Sequence, residues 1–244
     1  MMIDKRHKAI QNNLELYKTI LGSHQIDFFE TDDLWYCLEQ TPPLYSNLIT
    51  KEKTWTPDSI FESINRIYET KQWTEWSVKD SFGTLNLNSY GFLKLFDAQW
   101  IYLPYKNFIT RNDPRIQFEI VKDEENLLKW IQAWEAREAE SRGNKIFKST
   151  LLANPNVYFL AAYQGAQIVG GCLINTTGNV TGISNSFGPE RDIHYWSALI
   201  SFVLENVTTQ DIVGYFGNDL IPLLTSLSFE TVGSLSVWLK KENS

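Results

Sequence analysis

Two cysteines and three histidines are the side chains of this 244-residue chain most suited to nucleophilic or metal chemistry. Their spacing removes most of that chemistry. Cys37 and Cys172 lie far apart and neither belongs to a Cys-x-x-Cys pair, so a metal or redox site has no support. His7, His24 and His194 do not cluster, and no zinc ligand set can be drawn from them. A thiolate nucleophile needs a nearby base or a helix N-terminus. Cys172 sits instead inside an apolar run that reads as a strand, and both cysteines are expected as small buried hydrophobes.

Hydrophobic residues make up 43% of the chain and charged residues 21%, enough for a buried core and against global disorder. The net charge is −7 and basic residues form no long block, so the electrostatic footprint of a nucleic-acid binder is missing. The first ten residues are charged and lack the apolar centre of a signal peptide. The longest strongly apolar run, 168–174, is too short to span a bilayer. The expectation is a soluble, cytoplasmic protein with no nucleic-acid or membrane partner.

The elements that must position a site follow from periodicity. Leu14, Tyr17, Ile20 and Leu21 predict a helix after Asp4 that ends at Gly22. A strand is expected over 34–38, a helix opening at Pro57, strands over 73–78 and 98–103, and a short helix at 84–87. The polar stretch 105–114 has no clean period and reads as a linker between segments 1–108 and 115–244. Beyond it come a strand over 117–121 and a long helix after Asp123. A hairpin of 157–163 and 167–175 and a strand over 180–186 follow. Then come a helix over 193–207, a strand over 211–216, a helix over 220–227 and a closing strand over 232–239. A faint internal repeat links the halves. Trp76-Ser77-Val78, Leu85, Tyr90-Gly91-Phe92 and Trp100-Ile101 parallel Gly214-Tyr215-Phe216, Leu223, Leu227-Ser228-Phe229 and Val237-Trp238. Two unrelated strand–helix–strand units would read the same way.

The second-half order resembles the GNAT superfamily of acyl-CoA N-acyltransferases. Ala161-Ala162-Tyr163, Gln164-Gly165 and Ile168-Val169-Gly170-Gly171 are similar to that family's central hairpin. Asn218, the run from Leu227 to Gly233, and Val237-Trp238-Leu239 are similar to its closing segment. The first half resembles the truncated, cofactor-free GNAT-like domain of tandem members. The fold implied is α/β in the layered α+β sense: two tandem GNAT-like domains sharing mixed sheets flanked by helices.

The resemblance also implies a chemistry: transfer of an acyl group from acetyl-CoA, or another acyl-CoA, to a primary amine of a small molecule or peptide. The pantetheine arm would pair with strand backbone at Ile183, Ser184, Asn185 and Ser186, where side-chain identity matters little. The pyrophosphate needs backbone N–H groups at a helix N-terminus. The family supplies them from a glycine-rich loop, and here the chain reads Phe187-Gly188-Pro189-Glu190-Arg191-Asp192-Ile193-His194. Pro189 has no N–H to give, and Glu190 and Asp192 oppose phosphate; Gly188, Arg191, Ile193, His194 and Asn218 are what remains of a cofactor site. An ordinary helix start capped by Asp192 explains the same residues. The family's proton-donating tyrosine falls on Leu224, which leaves Tyr215 as the nearest substitute, or as a packed strand tyrosine. Glu138, with Glu135, is the candidate base, although a solvated helix face suits both. No metal is expected. The alternative is a catalytically inactive ligand-binding or scaffold protein that retains the fold; an acyl donor on another carrier has little support.

Overall fold

The computed structural model describes residues 4–68, 75–111, 113–136, 143–189 and 191–241. Helix α1 (Lys5–Ser23) starts at Asp4, whose side chain accepts the Arg6 N–H. Ile10, Leu14, Tyr17 and Leu21 form its buried stripe, spaced every three or four residues. Asn12 and Asn13 are also buried, against that pattern. Next come β1 (Phe28–Glu30), β2 (Leu34–Cys37), β3 (Leu48–Thr50), α2 (Pro57–Tyr68), β4 (Glu75–Asp80) and β5 (Leu93–Leu103). The remaining elements are β6 (Gln117–Ile120), α3 (Glu124–Glu135), α4 (Gly143–Ile146), β7 (Val157–Gln164), β8 (Gln167–Thr177), β9 (Val180–Phe187), α5 (Ile193–Asn206), β10 (Asp211–Gly217), α6 (Ile221–Ser226) and β11 (Glu230–Lys241).

The strands form one mixed sheet in the order β1-β2-β3-β4-β11-β5-β10-β9-β8-β7-β6. Strand β5, from the first segment, lies between β10 and β11 of the second, and β11 lies between β4 and β5. Outward from the β11–β5 pair, both directions repeat one series of pairings. The next strand is antiparallel (β4 or β10), the one after is parallel to it (β3 or β9), and two more antiparallel strands follow, with β6 added beyond β7 on the second side.

Helix α1 packs on the sheet through a reciprocal pair. Asn12 Nδ2 donates to the Asn175 carbonyl at 3.1 Å, and Asn175 Nδ2 donates to the Asn12 carbonyl at 3.0 Å. Both are buried, so each satisfies polar groups that would otherwise be costly there. Helix α5 packs with the other large cluster, through Tyr195, Trp196, Leu199, Ile200 and Val203.

Two strands and one loop differ from the sequence reading. Strands β1 and β3 have three residues each, too few to show a period. The helix expected at 84–87 is a loop, because the Asp80 carboxylate accepts the Phe82 and Leu85 N–H groups at 3.0 and 2.7 Å. A 3-10 turn follows at Asn88–Tyr90. The polar stretch after β5 is pinned to α5: Arg111 N–H donates to Ser201 Oγ at 2.6 Å, and that hydroxyl donates to the Arg111 carbonyl at 2.9 Å.

Matching helix stops precede β5 and β11. Gly91 N–H donates to Asn88 O and Phe92 N–H to Leu87 O; Ser228 N–H donates to Thr225 O and Phe229 N–H to Leu224 O. Both are Schellman stops, which place one residue in the left-handed region. Gly91 has φ 80° and Ser228 φ 70°. Only glycine adopts that conformation without strain. Ser228→Gly is expected to raise unfolding free energy by about 0.5–1 kcal/mol, and Gly91→Ala to lower it by about 1 kcal/mol. Urea denaturation checks the opposite signs.

Candidate functional site

The site forms where two parallel strands part. The β9–β10 ladder holds for three pairs, Asp211 with Val180, Ile212 with Thr181 and Val213 with Gly182. Strand β10 continues in unbroken register with β5 as far as Gly217 opposite Ala98. Strand β9 instead bulges: Gly171 of β8 faces Phe187 and Leu173 faces Ser184, an extra residue on the β9 side, and Asn185 has φ 47°. A cavity of about 480 Å³ opens at the divergence. Ser184, Asn185 and Ser186 line one wall, and Tyr215, Phe216 and Gly217 another. The first segment closes it with Asn13 and Tyr17 of α1, Tyr45 in the loop after β2, and Lys79 of β4.

Tyr215 is half-buried, edge-on to Trp100 with ring centroids 5.4 Å apart. Its hydroxyl accepts from Lys79 Nζ at 3.4 Å. Burial pushes the Tyr17 hydroxyl up to about 12, against the opposing hydrogen bond from Ser46. Burial also raises Tyr45, with Tyr17 and Tyr215 adding to it and a hydrogen bond with the Asn185 side chain working the other way. Tyr17 and Tyr45 are therefore held as neutral hydroxyls at physiological pH.

The start of α5 is occupied by its own residues. Asp192 Oδ1 accepts the N–H groups of His194 and Tyr195 at 2.9 and 3.2 Å. A phosphate at this end would need those donors. Tyr195 is fully buried and its hydroxyl donates to the Phe187 carbonyl at 2.9 Å. Its ring fills the room left by two glycines: a Cβ on Gly188 would come within 2.6 Å of it, and a Cβ on Gly170 would collide with its hydroxyl. Trp196 lies behind the cavity wall, edge-on to Phe216 at 5.5 Å.

Of the residues singled out in the sequence, the structure brings Ser184, Asn185, Ser186 and Tyr215 to one cavity, with Ile183 buried just before them. Gly188 lies under Tyr195. Arg191 and Ile193 are exposed. His194 lines a separate recess of about 360 Å³ with Arg111, Asp113 and Arg115. There Arg115 holds the Asp113 carboxyl down at about 2. Asn218 is exposed, its Oδ1 accepting from Gln99 Nε2 at 3.4 Å. Glu138 lies outside the described residues, and Glu135 accepts the Gly143 N–H at the start of α4. Burial pushes the Cys172 thiol well above its ordinary value, away from nucleophilic use.

The sequence reading did not pick out Lys79, Asn13, Tyr17 or Tyr45 as site residues. Asn12-Asn13 inside a buried helical stripe was the available signal. A lysine in a strand reads as a solvent-facing residue, and only the burial of Val78, Lys79 and Asp80 in succession shows that both faces of β4 are covered there. Among the described residues no three His, Cys, Asp or Glu side chains are placed to hold a metal ion. No helix among them is long and apolar enough to cross a membrane.

Neither a protein-family model nor a curated protein matches the chain. Solved structures do. A GCN5-related N-acetyltransferase from Kribbella flavida superposes with TM-score 0.67 at 9% identity, over 99% of this chain and 97% of that one. A conserved protein of unknown function from Staphylococcus epidermidis gives 0.67 at 14% identity, over 93% and 99%. A protein of the GNAT acetyltransferase family from Novosphingobium aromaticivorans gives 0.53 at 12%, over 93% and 97%. The fold of this chain is the GNAT fold.

Asp192 gives the site its first test. Asp192→Ala removes the cap on two α5 N–H groups and is expected to lower unfolding free energy by about 1 kcal/mol. Chemical denaturation in phosphate-free buffer measures it.

Proposed function

We propose that the protein transfers an acyl group from an acyl thioester, acetyl-CoA or another acyl-CoA, to a primary amine of a small molecule or peptide. The observation that carries this reading is the parting of β9 from β10 after Gly182 and Val213, which opens directly into the cavity. A strand edge whose ladder has ended can pair with an extended ligand through its main chain. The pantetheine arm has that form, and Ser184 to Ser186 are its partners in this reading. The parted strands support a thioester arm in a way the start of α5 does not support a pyrophosphate. No glycine-rich cradle stands there, and Asp192 takes two of the N–H groups.

Tyr215 is the proton donor of the proposal. Lys79 Nζ donates to its hydroxyl oxygen, which leaves the tyrosine's own proton for the cavity. In the reaction the amine nitrogen bonds the thioester carbonyl carbon and the carbon–sulfur bond breaks. The departing sulfur takes the Tyr215 proton, and the proton lost from nitrogen restores it. Glu138 remains the candidate base in the same reading.

The two segments are, in this proposal, tandem GNAT-like units, 1–108 and 115–244, that exchange their last strands. The mirrored pairings around β11–β5 and the matching Schellman stops support it. Asp192 on α5 also favours a second reading, a ligand-binding protein that retains the fold without the chemistry.

Thermal shift and turnover separate the two. S-acetylpantetheine and acetyl-CoA are expected to raise the melting temperature by similar amounts, since the nucleotide end has no cradle. Tyr215→Phe is expected to lower kcat about 100-fold or more with little change in donor KM. Absence of any shift with either thioester would remove the proposed reaction, and turnover unaffected in Tyr215→Phe would remove Tyr215 as its proton donor.

A further inference from the structure

Lys79 is the next-to-last residue of β4 and has 1% of its surface exposed. That is rare for lysine, because an ammonium loses its hydration in such a place. Its neighbours are of one kind. Nζ donates to Asn13 Oδ1 at 3.0 Å and to the Tyr215 hydroxyl at 3.4 Å. It also lies 4.6 Å from the Tyr17 ring centroid and 4.4 Å from that of Tyr215. Oxygen acceptors and ring faces stabilise a cation.

What is missing is a counter-charge. No carboxylate among the described residues forms an ion pair with Lys79. Asp80, next in sequence, spends both oxygens on the backbone of Phe82 and Leu85. The nearby partly exposed lysines differ: Lys18 pairs with Glu15 and Glu30 at 2.8 and 2.6 Å, and Lys51 with Glu30 at 2.8 Å. Burial pushes the Lys79 ammonium below its ordinary value, with Tyr215 working the other way. A buried ion without an opposite charge destabilises a fold unless something bound supplies that charge.

The cavity beside Lys79 is where a ligand would supply it. Among the described residues, Lys79 is the one cation in its lining and Glu75, at the other end of β4, the one carboxylate; Asn13 and Ser184 to Ser186 are among its polar groups, and Leu16, Trp76, Leu95 and Val237 among its apolar ones. We propose that this cavity is a carboxylate-recognition site, and that it takes a small molecule with an apolar body whose carboxylate is seated on Lys79. Under the acyl-transfer reading, on which the term acceptor rests, the amine acceptor is then an apolar amino acid. Its carboxylate lies against Lys79 and its amine toward the parted strands. Asn13 and the rings of Tyr17 and Tyr215 hold the ammonium in position. The carboxylate site itself stands without that reading.

Calorimetric titration with no acyl donor present tests it, using phenylacetate, L-phenylalanine and L-phenylalaninamide as probes. Both acids are expected to bind, and the amide about 10-fold more weakly or worse. Lys79→Met is expected to weaken the acids about 10- to 100-fold, as expected for loss of a charge-assisted hydrogen bond, and to leave the amide unchanged. Asn13→Asp supplies a resident carboxylate to Lys79, so it is expected to raise the melting temperature and to expel both acids. The inference is overturned if the wild-type protein binds neither acid, if acid and amide bind alike, or if Asn13→Asp binds the acids as the wild type does. Should Lys79→Met fail to fold, Asn13→Asp decides. A parallel titration with acetyl-CoA keeps the two readings apart: its failure removes the acyl donor and leaves the carboxylate site standing.

Discussion

Strand β10 is held unequally on its two sides, and the site depends on that inequality. Strand β5 pairs with it from Ile212 to Gly217, six residues, while β9 pairs with it for only three. On the β5 side β10 keeps a regular register through Gly217, past the point where β9 leaves it and bulges at Asn185. Without β5 on its far edge, nothing in the ladder would keep Tyr215 and Phe216 aligned as one cavity wall. Because β5 comes from the first segment, the wall of the second segment's site is fixed by residues more than a hundred positions earlier.

The first segment supplies more than a strand. Asn12 fastens α1 to β8 by a reciprocal pair of buried hydrogen bonds, and the next residue, Asn13, reaches Lys79 in the cavity. One turn later, Tyr17 places its ring over the same ammonium. The docking pair and the contacts to Lys79 therefore come from adjacent positions of one helix, and both use polar residues where a simple apolar stripe would place leucine. Each such group is tolerable because it is bonded. Lys79 has two oxygen acceptors and, among the described residues, no ion pair.

Much of the fold was legible because its long elements have clear periods: α1, α5, the β7–β8 hairpin and the β9-to-β11 run were found close to their observed bounds. The placing of β11 between β4 and β5 was not legible, since periodicity carries no partner information; Trp100 and Trp238 read alike wherever their strands lie. The missing phosphate cradle was visible as Pro189 and Asp192, and the structure gives Asp192 its local use as a helix cap. Ser184 to Ser186 and Tyr215 were identified from the segment that resembles the family. Lys79 and Tyr45 were not, because they lie in the other segment and reach the cavity only through the sheet order and the loop before β3.

The central claim is that the open edge of β9 receives a thioester arm. Hydrogen–deuterium exchange with and without S-acetylpantetheine tests it most directly. The account predicts slower exchange for the backbone N–H groups of residues 184–187 and no change at His194 and Tyr195, which Asp192 already caps. Unchanged exchange at 184–187 with saturating ligand, or protection confined to the start of α5, would contradict it.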